Sequence, residues 1–153
     1  MDLEEMKSVC LKLLEESEAA YLTTIDEKGF PHTRAMLNLR RPSQFPSLVG
    51  LFREHTDEWL IYFSTNTASE KIRHIRANPL VSVYYCVPRE YRGVMLGGSM
   101  EIVADRSIKQ ALWQNNWNLY YPQGVDDPDY AVLHLFPAFA KGWYQLTRFE
   151  FSV

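Results

Sequence analysis

Residues 63–85 read FSTNTASEKIRHIRANPLVSVYY. An apolar strand gives way to small polar residues, then to a short basic helix, then to Asn78-Pro79 and a second strand. The residue before a proline avoids helical backbone geometry, so Asn78 closes the helix and Leu80 opens the strand. The spacing Thr67-Ala68-Ser69-Glu70 fits a capping box and predicts a helix over 67–77, with Ala68, Ile72 and Ile75 as its apolar stripe. Lys71 and Arg73 then fall in the early turns, where a cation opposes the helix dipole at a cost of about 0.3–1 kcal/mol. An anion bound there reverses the sign. Free N–H groups, Ser and Thr hydroxyls and Lys71 would together form a phosphate cradle. The competing reading is a solvated basic face running from Lys71 to Arg76.

Outward from this block the pattern is mostly strand. WLIYFS, 59–64, leads into it and LVSVYYCV, 80–87, leads out. Upstream, Leu3, Met6, Val9, Cys10, Leu13 and Leu14 recur at helical spacing and predict an amphipathic helix over 2–16. AAYLTTI, 19–25, and FPHTRAMLNL, 30–39, read as a hairpin around the DEKG turn, where Gly29 can take positive φ. On its second strand His32, Arg34, Met36 and Asn38 share one face, read as the polar one; Thr33, Ala35, Leu37 and Leu39 share the other. Two prolines make 40–58 irregular. Downstream, GVMLGGSMEIV, 93–103, is a strand in which Gly97 and Gly98 mark a bulge or a close backbone approach. A second amphipathic helix is expected over 106–118, a loop over 122–129, and two closing strands, YAVLHLF and GWYQLTRFEF. Hairpins dominate and βαβ units are few. The fold class is mainly β with attached helices, an antiparallel sheet closed into a barrel.

The chain's 153 residues fit one domain, 1–153. With 46% hydrophobic and 14% aromatic residues it has ample material for a core. A formal net charge of −3 lacks the overall basic field of a nucleic-acid binder. MDLEEMKSVC has no apolar segment resembling a signal peptide, and no apolar run approaches the ~20 residues of a membrane span. Cys10 and Cys86 sit among apolar neighbours without a CxxC, which fits reduced, buried thiols in a cytoplasmic protein.

Arg34 is the second cation of interest. In a small barrel its strand can lie beside the third, which brings Arg34 toward the Lys71 helix; two cations with hydroxyl donors suit a terminal phosphate monoester. Other polar groups are less telling. His32, His55, His74 and His134 show no zinc spacing, and a surface or hydrogen-bonding role suits His32. Asp126, Asp127 and Asp129 lack the ligand spacing of a calcium loop. WQNNWNLYYPQG, 113–124, concentrates aromatic rings that would either wall a pocket or fill a core or dimer interface. No Ser-His-Asp or Cys-His arrangement is legible.

Taken together, PHTRAMLN, YFSTNTASEKIRHIRANPLVSVYY and GGSMEIV resemble the FMN-binding split-barrel proteins related to pyridoxamine 5′-phosphate oxidase, and within them the general-stress-protein branch. The resemblance spans residues 5–146. It implies an antiparallel split β-barrel and a homodimer with FMN at the subunit interface. It implies that Arg34, Ser69 and Lys71 bind phosphate, that Ala35 and Met36 line the ring, and that Ser64, Thr65 and Asn66 touch ribityl and ring. Trp143, with Arg148 on the same strand, matches the place from which a partner chain offers an aromatic. The implied activity is a flavin-dependent oxidoreductase working between a reduced nicotinamide and a small acceptor. The alternative is a non-catalytic module for a flavin, a deazaflavin or a haem-type tetrapyrrole. The sequence departs from the oxidase at Glu70, where a basic residue is usual, and at Gly93, where a Gln is usual. Its C-terminal substrate-binding residues are not recognisable, so the departures weigh against oxidation of pyridoxamine phosphate and leave FMN binding intact.

Overall fold

A computed structural model describes residues 1–153 and arranges them around one seven-stranded antiparallel sheet. The strands are β1 (Ala19–Ile25), β2 (Pro31–Leu37), β3 (Ile61–Asn66), β4 (Leu80–Val87), β5 (Arg92–Ile102), β6 (Tyr130–Tyr144) and β7 (Thr147–Ser152). The helices are α1 (Leu3–Glu16), α2 (Val49–Arg53), α3 (Glu70–Ala77) and α4 (Arg106–Leu112). The strand order is β2-β1-β4-β5-β6-β3, and β7 pairs with the far half of β6. The sheet curls into a half-barrel, mainly β with attached helices as its sequence pattern indicates.

Strand β6 makes the split. Its first half, Tyr130 to Leu135, pairs with β3, and its second half, Phe139 to Tyr144, pairs with β7. Strand β5 runs along the other side of both halves. Between them the register slips: Gly97 faces Phe139 while Gly98 faces Pro137, leaving Ala138 as the extra residue of a bulge. Pro137 is tolerated there because a bulge does not require its missing N–H. A Cβ on Gly98 would stand 2.1 Å from the Phe136 carbonyl oxygen, so the paired glycines do mark a close backbone approach.

The main core lies between the curled sheet and helices α1 and α3, around Leu13, Leu14, Leu22, Phe63, Ile72, Ile75, Tyr85 and Leu133. Each such side chain contributes about 1.5–3 kcal/mol on burial. A second cluster packs Phe52, Leu60, Tyr62, Trp117, Tyr121 and Tyr130 on the opposite side of β3. Helix α1 begins with a capping box of Asp2 and Glu5. At its other end buried Asn38 donates Nδ2–H to the carbonyls of Leu14 and Ser17 at 2.8 and 2.9 Å, which fixes the end of β2 against the helix.

Four boundaries differ from the sequence pattern. Helix α3 starts at Glu70 rather than Thr67, with Ser69 as N-cap and no side-chain capping bond. Thr67 is used elsewhere: its hydroxyl donates to the Pro128 carbonyl at 2.9 Å, and the neighbouring Ala68 N–H donates to the Asp129 carboxylate. Strand β3 is displaced to 61–66 from the expected 59–64, and α4 stops at Leu112, since Trp113 turns extended and a 3₁₀ segment follows over Asn115–Leu119. The last two strands meet at Gln145, which takes φ 54°, because β6 continues through Pro137. The irregular stretch contains the short helix α2. Both cysteines are free, Cys10 buried and Cys86 only partly so.

Candidate functional site

Strand β2 turns the Arg34 face inward and leaves Ala35 and Leu37 exposed, the reverse of what their polarity alone suggests. Arg34 is accommodated because its guanidinium finds partners: Nη1 donates to Thr24 Oγ1 at 2.7 Å and to the Leu22 carbonyl at 3.3 Å. Neither partner is charged. Burial holds the Arg34 pKa below its usual value, and the Glu70 charge opposes this weakly. Lys71, in the first turn of α3, donates Nζ–H to Thr65 Oγ1 at 2.9 Å. Its pKa is also held down, by burial first and then by the positive charge of Arg34. The two cations therefore sense one another, and neither forms an ion pair with a carboxylate.

They open on a pocket of about 370 Å³. Strand β2 lines it with Arg34, Ala35, Met36 and Leu37, and the end of β3 with Ser64, Thr65 and Asn66. Lys71 closes one side, and Trp117, Tyr120 and Tyr121 form an aromatic wall. Tyr121 Oη donates to Asn66 Oδ1 at 2.8 Å, which ties that wall to β3. Thus seven of the nine site residues expected from sequence meet on one hollow.

The other two lie apart from it. Ser69 does not line the pocket, but its Oγ is buried at the start of α3 without a hydrogen-bond partner. Trp143 is half-exposed on β6, opposite Gly93 on β5 and Arg148 on β7. All three belong to the outer face of the sheet, the face on which Ala35, Tyr21, Tyr84 and Met95 follow one another across β2, β1, β4 and β5. Ala35 and Leu37 bring the pocket's rim onto that same face. Gly93 has a local reason: the Tyr84 phenol lies across it, and a Cβ there would stand 2.0 Å from Tyr84 Oη.

The aromatic stretch satisfies both of its sequence readings, because Trp117 and Tyr121 are buried in the second cluster and also line the pocket. His32 bonds Asp26 at 2.8 Å rather than entering the pocket. Asp126 pairs with Arg106 at 2.7 Å, and no group of side chains is arranged to hold a metal ion. Thr24 and His74, which contact each other behind Arg34, carry no sequence signal beyond the helical spacing that turns His74 inward beside Ile75.

A half-barrel that gathers two cations without carboxylate partners, hydroxyls and an aromatic wall at one helix start defines a split-barrel protein with a cation-lined pocket. More narrowly, the chain belongs to the pyridoxamine 5′-phosphate oxidase family, whose model matches residues 6–144. Among solved structures it is similar to a Clostridium acetobutylicum protein related to general stress protein 26 of B. subtilis, with 27% identity and a TM-score of 0.77 over 100% of this chain and 97% of that one. General stress protein 26 from Bacillus anthracis shares the fold at 18% identity and a TM-score of 0.73, covering 97% of this chain and 99% of that one. A protein described as an F420 reductase aligns at 25% identity with a TM-score of 0.56, over 84% of this chain and 93% of that one. No curated protein matches the chain.

Proposed function

We propose that this protein is a homodimeric, cytoplasmic FMN-binding flavoprotein that passes electrons between a reduced nicotinamide and a small acceptor. The observation that carries the reading is the convergence of Arg34 and Lys71, each without a carboxylate partner, on one pocket. Two half-buried cations facing one hollow are unfavourable until an anion joins them, and a phosphate monoester supplies that charge with oxygens for both. The orphaned Ser69 hydroxyl at the start of α3 offers a further donor. Ser64, Thr65 and Asn66 then face the ribityl chain, and Ala35 and Met36 the ring. Bound flavin would supply the redox chemistry, while the chain's own groups hold and orient it.

The homodimer is supported by the outer sheet face. Tyr84, Phe139 and Trp143 are each more than a third exposed there, on the face that carries the pocket's rim. A two-fold partner laid on this face would place its own Trp143 near the hollow.

A second reading, a deazaflavin in the same pocket, is favoured by the likeness to the F420 reductase. The visible spectrum of the purified protein, with mass identification of the material released by heat, separates these readings. A flavin spectrum with FMN mass, bleached by a reduced nicotinamide, is expected. A flavin spectrum inert to every donor would point to storage or sensing, a deazaflavin mass to the second reading, and a Soret band to a haem-type ligand.

A further inference from the structure

We infer that His74, acting through Thr24, is a positioning residue that aims Arg34 into the pocket; the inference rests on the phosphate-anchoring role proposed above for Arg34. Thr24 is 0% exposed and His74 1%, and both stand directly behind the guanidinium. Arg34 Nη1 lies 2.7 Å from Thr24 Oγ1, which in turn lies 2.9 Å from His74 Nδ1.

The chemistry of the groups gives this chain a direction. A guanidinium only donates, so Thr24 Oγ1 accepts from Arg34. The hydroxyl has a single proton, and His74 Nδ1 is the acceptor in reach. In the proposed relay Nδ1 takes this bond, which requires the imidazole to carry its own proton on Nε2. That nitrogen lies on the side of Glu70 Oε1, 3.7 Å away. It has no hydrogen-bond partner. The ring is steadied by His32, whose centroid is 4.9 Å away and whose own Nε2 is fixed to Asp26 at 2.8 Å.

A buried polar pair that leaves one nitrogen unpartnered is a poor way to fill a core, since an apolar pair would avoid the desolvation cost. What the pair does supply is orientation. With Nη1 held behind, the rest of the guanidinium is turned toward the hollow. His74 also sits three residues beyond Lys71, on the same side of α3. One helix thus carries the ammonium that meets the anion and the imidazole that sets the guanidinium, so both cations keep one register.

The test compares FMN with riboflavin, which lacks the phosphate, by fluorescence titration. His74→Leu is expected to weaken FMN roughly tenfold, the effect of loosening one charge-assisted contact, and to leave riboflavin unchanged. His74→Asn, whose Oδ1 can stand near the place of Nδ1, is expected to recover most of the FMN affinity, and Thr24→Val to repeat the loss. Nitrogen-15 NMR of the wild-type protein should find His74 as the Nε2–H tautomer, with an Arg34 guanidinium resonance that broadens in His74→Leu. An Nδ1–H tautomer, an unchanged FMN-to-riboflavin ratio or an equal loss of both ligands would overturn the inference. Should the wild-type protein bind no FMN, the proposed function falls, while the tautomer and the Arg34 resonance still decide the relay.

Discussion

Lys71 Nζ donates to Thr65 Oγ1 at 2.9 Å, so the first turn of α3 is bonded to the end of β3 by a cation whose only hydrogen-bond partner is neutral. A cation early in a helix works against the helix dipole, and burial makes this one costlier. Arg34 approaches from β2 with neutral partners as well. The arrangement is uneconomical for folding and suited to holding an anion.

Lys71→Ala and Arg34→Ala should each weaken FMN binding while the fold persists. Loss of one side of a charge-assisted contact at a desolvated site costs about 2–5 kcal/mol. Fluorescence titration measures the affinity, and far-ultraviolet circular dichroism checks the fold. FMN affinity unchanged in both variants would remove the anchor assignment.

The same cation carries a stability signature. Folding lowers the Lys71 pKa below its ordinary value of 10.5, so between the two values the unfolded chain binds more protons. Well below that window the buried charge weighs against the ligand-free fold; as pH rises through the folded pKa the ammonium is lost and stability recovers. Urea unfolding of ligand-free wild type should therefore gain stability relative to Lys71→Met as pH rises toward 10.5 from below. A difference that stays flat across that range would mean that Lys71 is better solvated than its surroundings indicate.

Much of this was legible in the sequence because it depends on local rules. Asn78-Pro79 closes α3 where the proline constraint puts it, the Gly97-Gly98 pair lies at the register shift, and the alternation of β2 groups Arg34 with Met36. The misses come from distant partners. Thr67 fits a capping box, yet the loop before β6 claims its hydroxyl. Pro137 reads as a break, but a bulge facing Gly98 absorbs it. Arg34 does turn toward the Lys71 helix as expected, but the partners that hold it there, Thr24 and the Leu22 carbonyl, carry no signal in the sequence. His74 is invisible as a site residue without the strand that stands against it.

The two bulge glycines should differ in their tolerance of alanine. At Gly98 the added carbon meets backbone, the Phe136 carbonyl oxygen at 2.1 Å, so the strands themselves must part. At Gly97 it meets the tip of the Phe139 ring at 2.2 Å, on a side chain that is 37% exposed and free to rotate. Gly98→Ala is expected to destabilise by about 3 kcal/mol or more and Gly97→Ala by about 1 kcal/mol, typical of overpacking against rigid and yielding neighbours. Chemical denaturation of both variants measures the difference; equal losses would mean that the β6 backbone relaxes as readily as a ring.

Tyr121 links the aromatic wall to the strand that lines the pocket, through Oη to Asn66 Oδ1 at 2.8 Å. Tyr121→Phe keeps the ring in the second cluster, where it packs against Trp113 and Tyr130, and removes only the hydroxyl. Stability should fall by about 1 kcal/mol, the usual net worth of one such hydrogen bond. FMN and riboflavin affinity should both fall severalfold, because in the proposed binding mode Asn66 and the wall face the part of the ligand that the two share. A loss confined to FMN would place Asn66 at the phosphate end instead and reverse the direction in which the ligand is laid along the pocket.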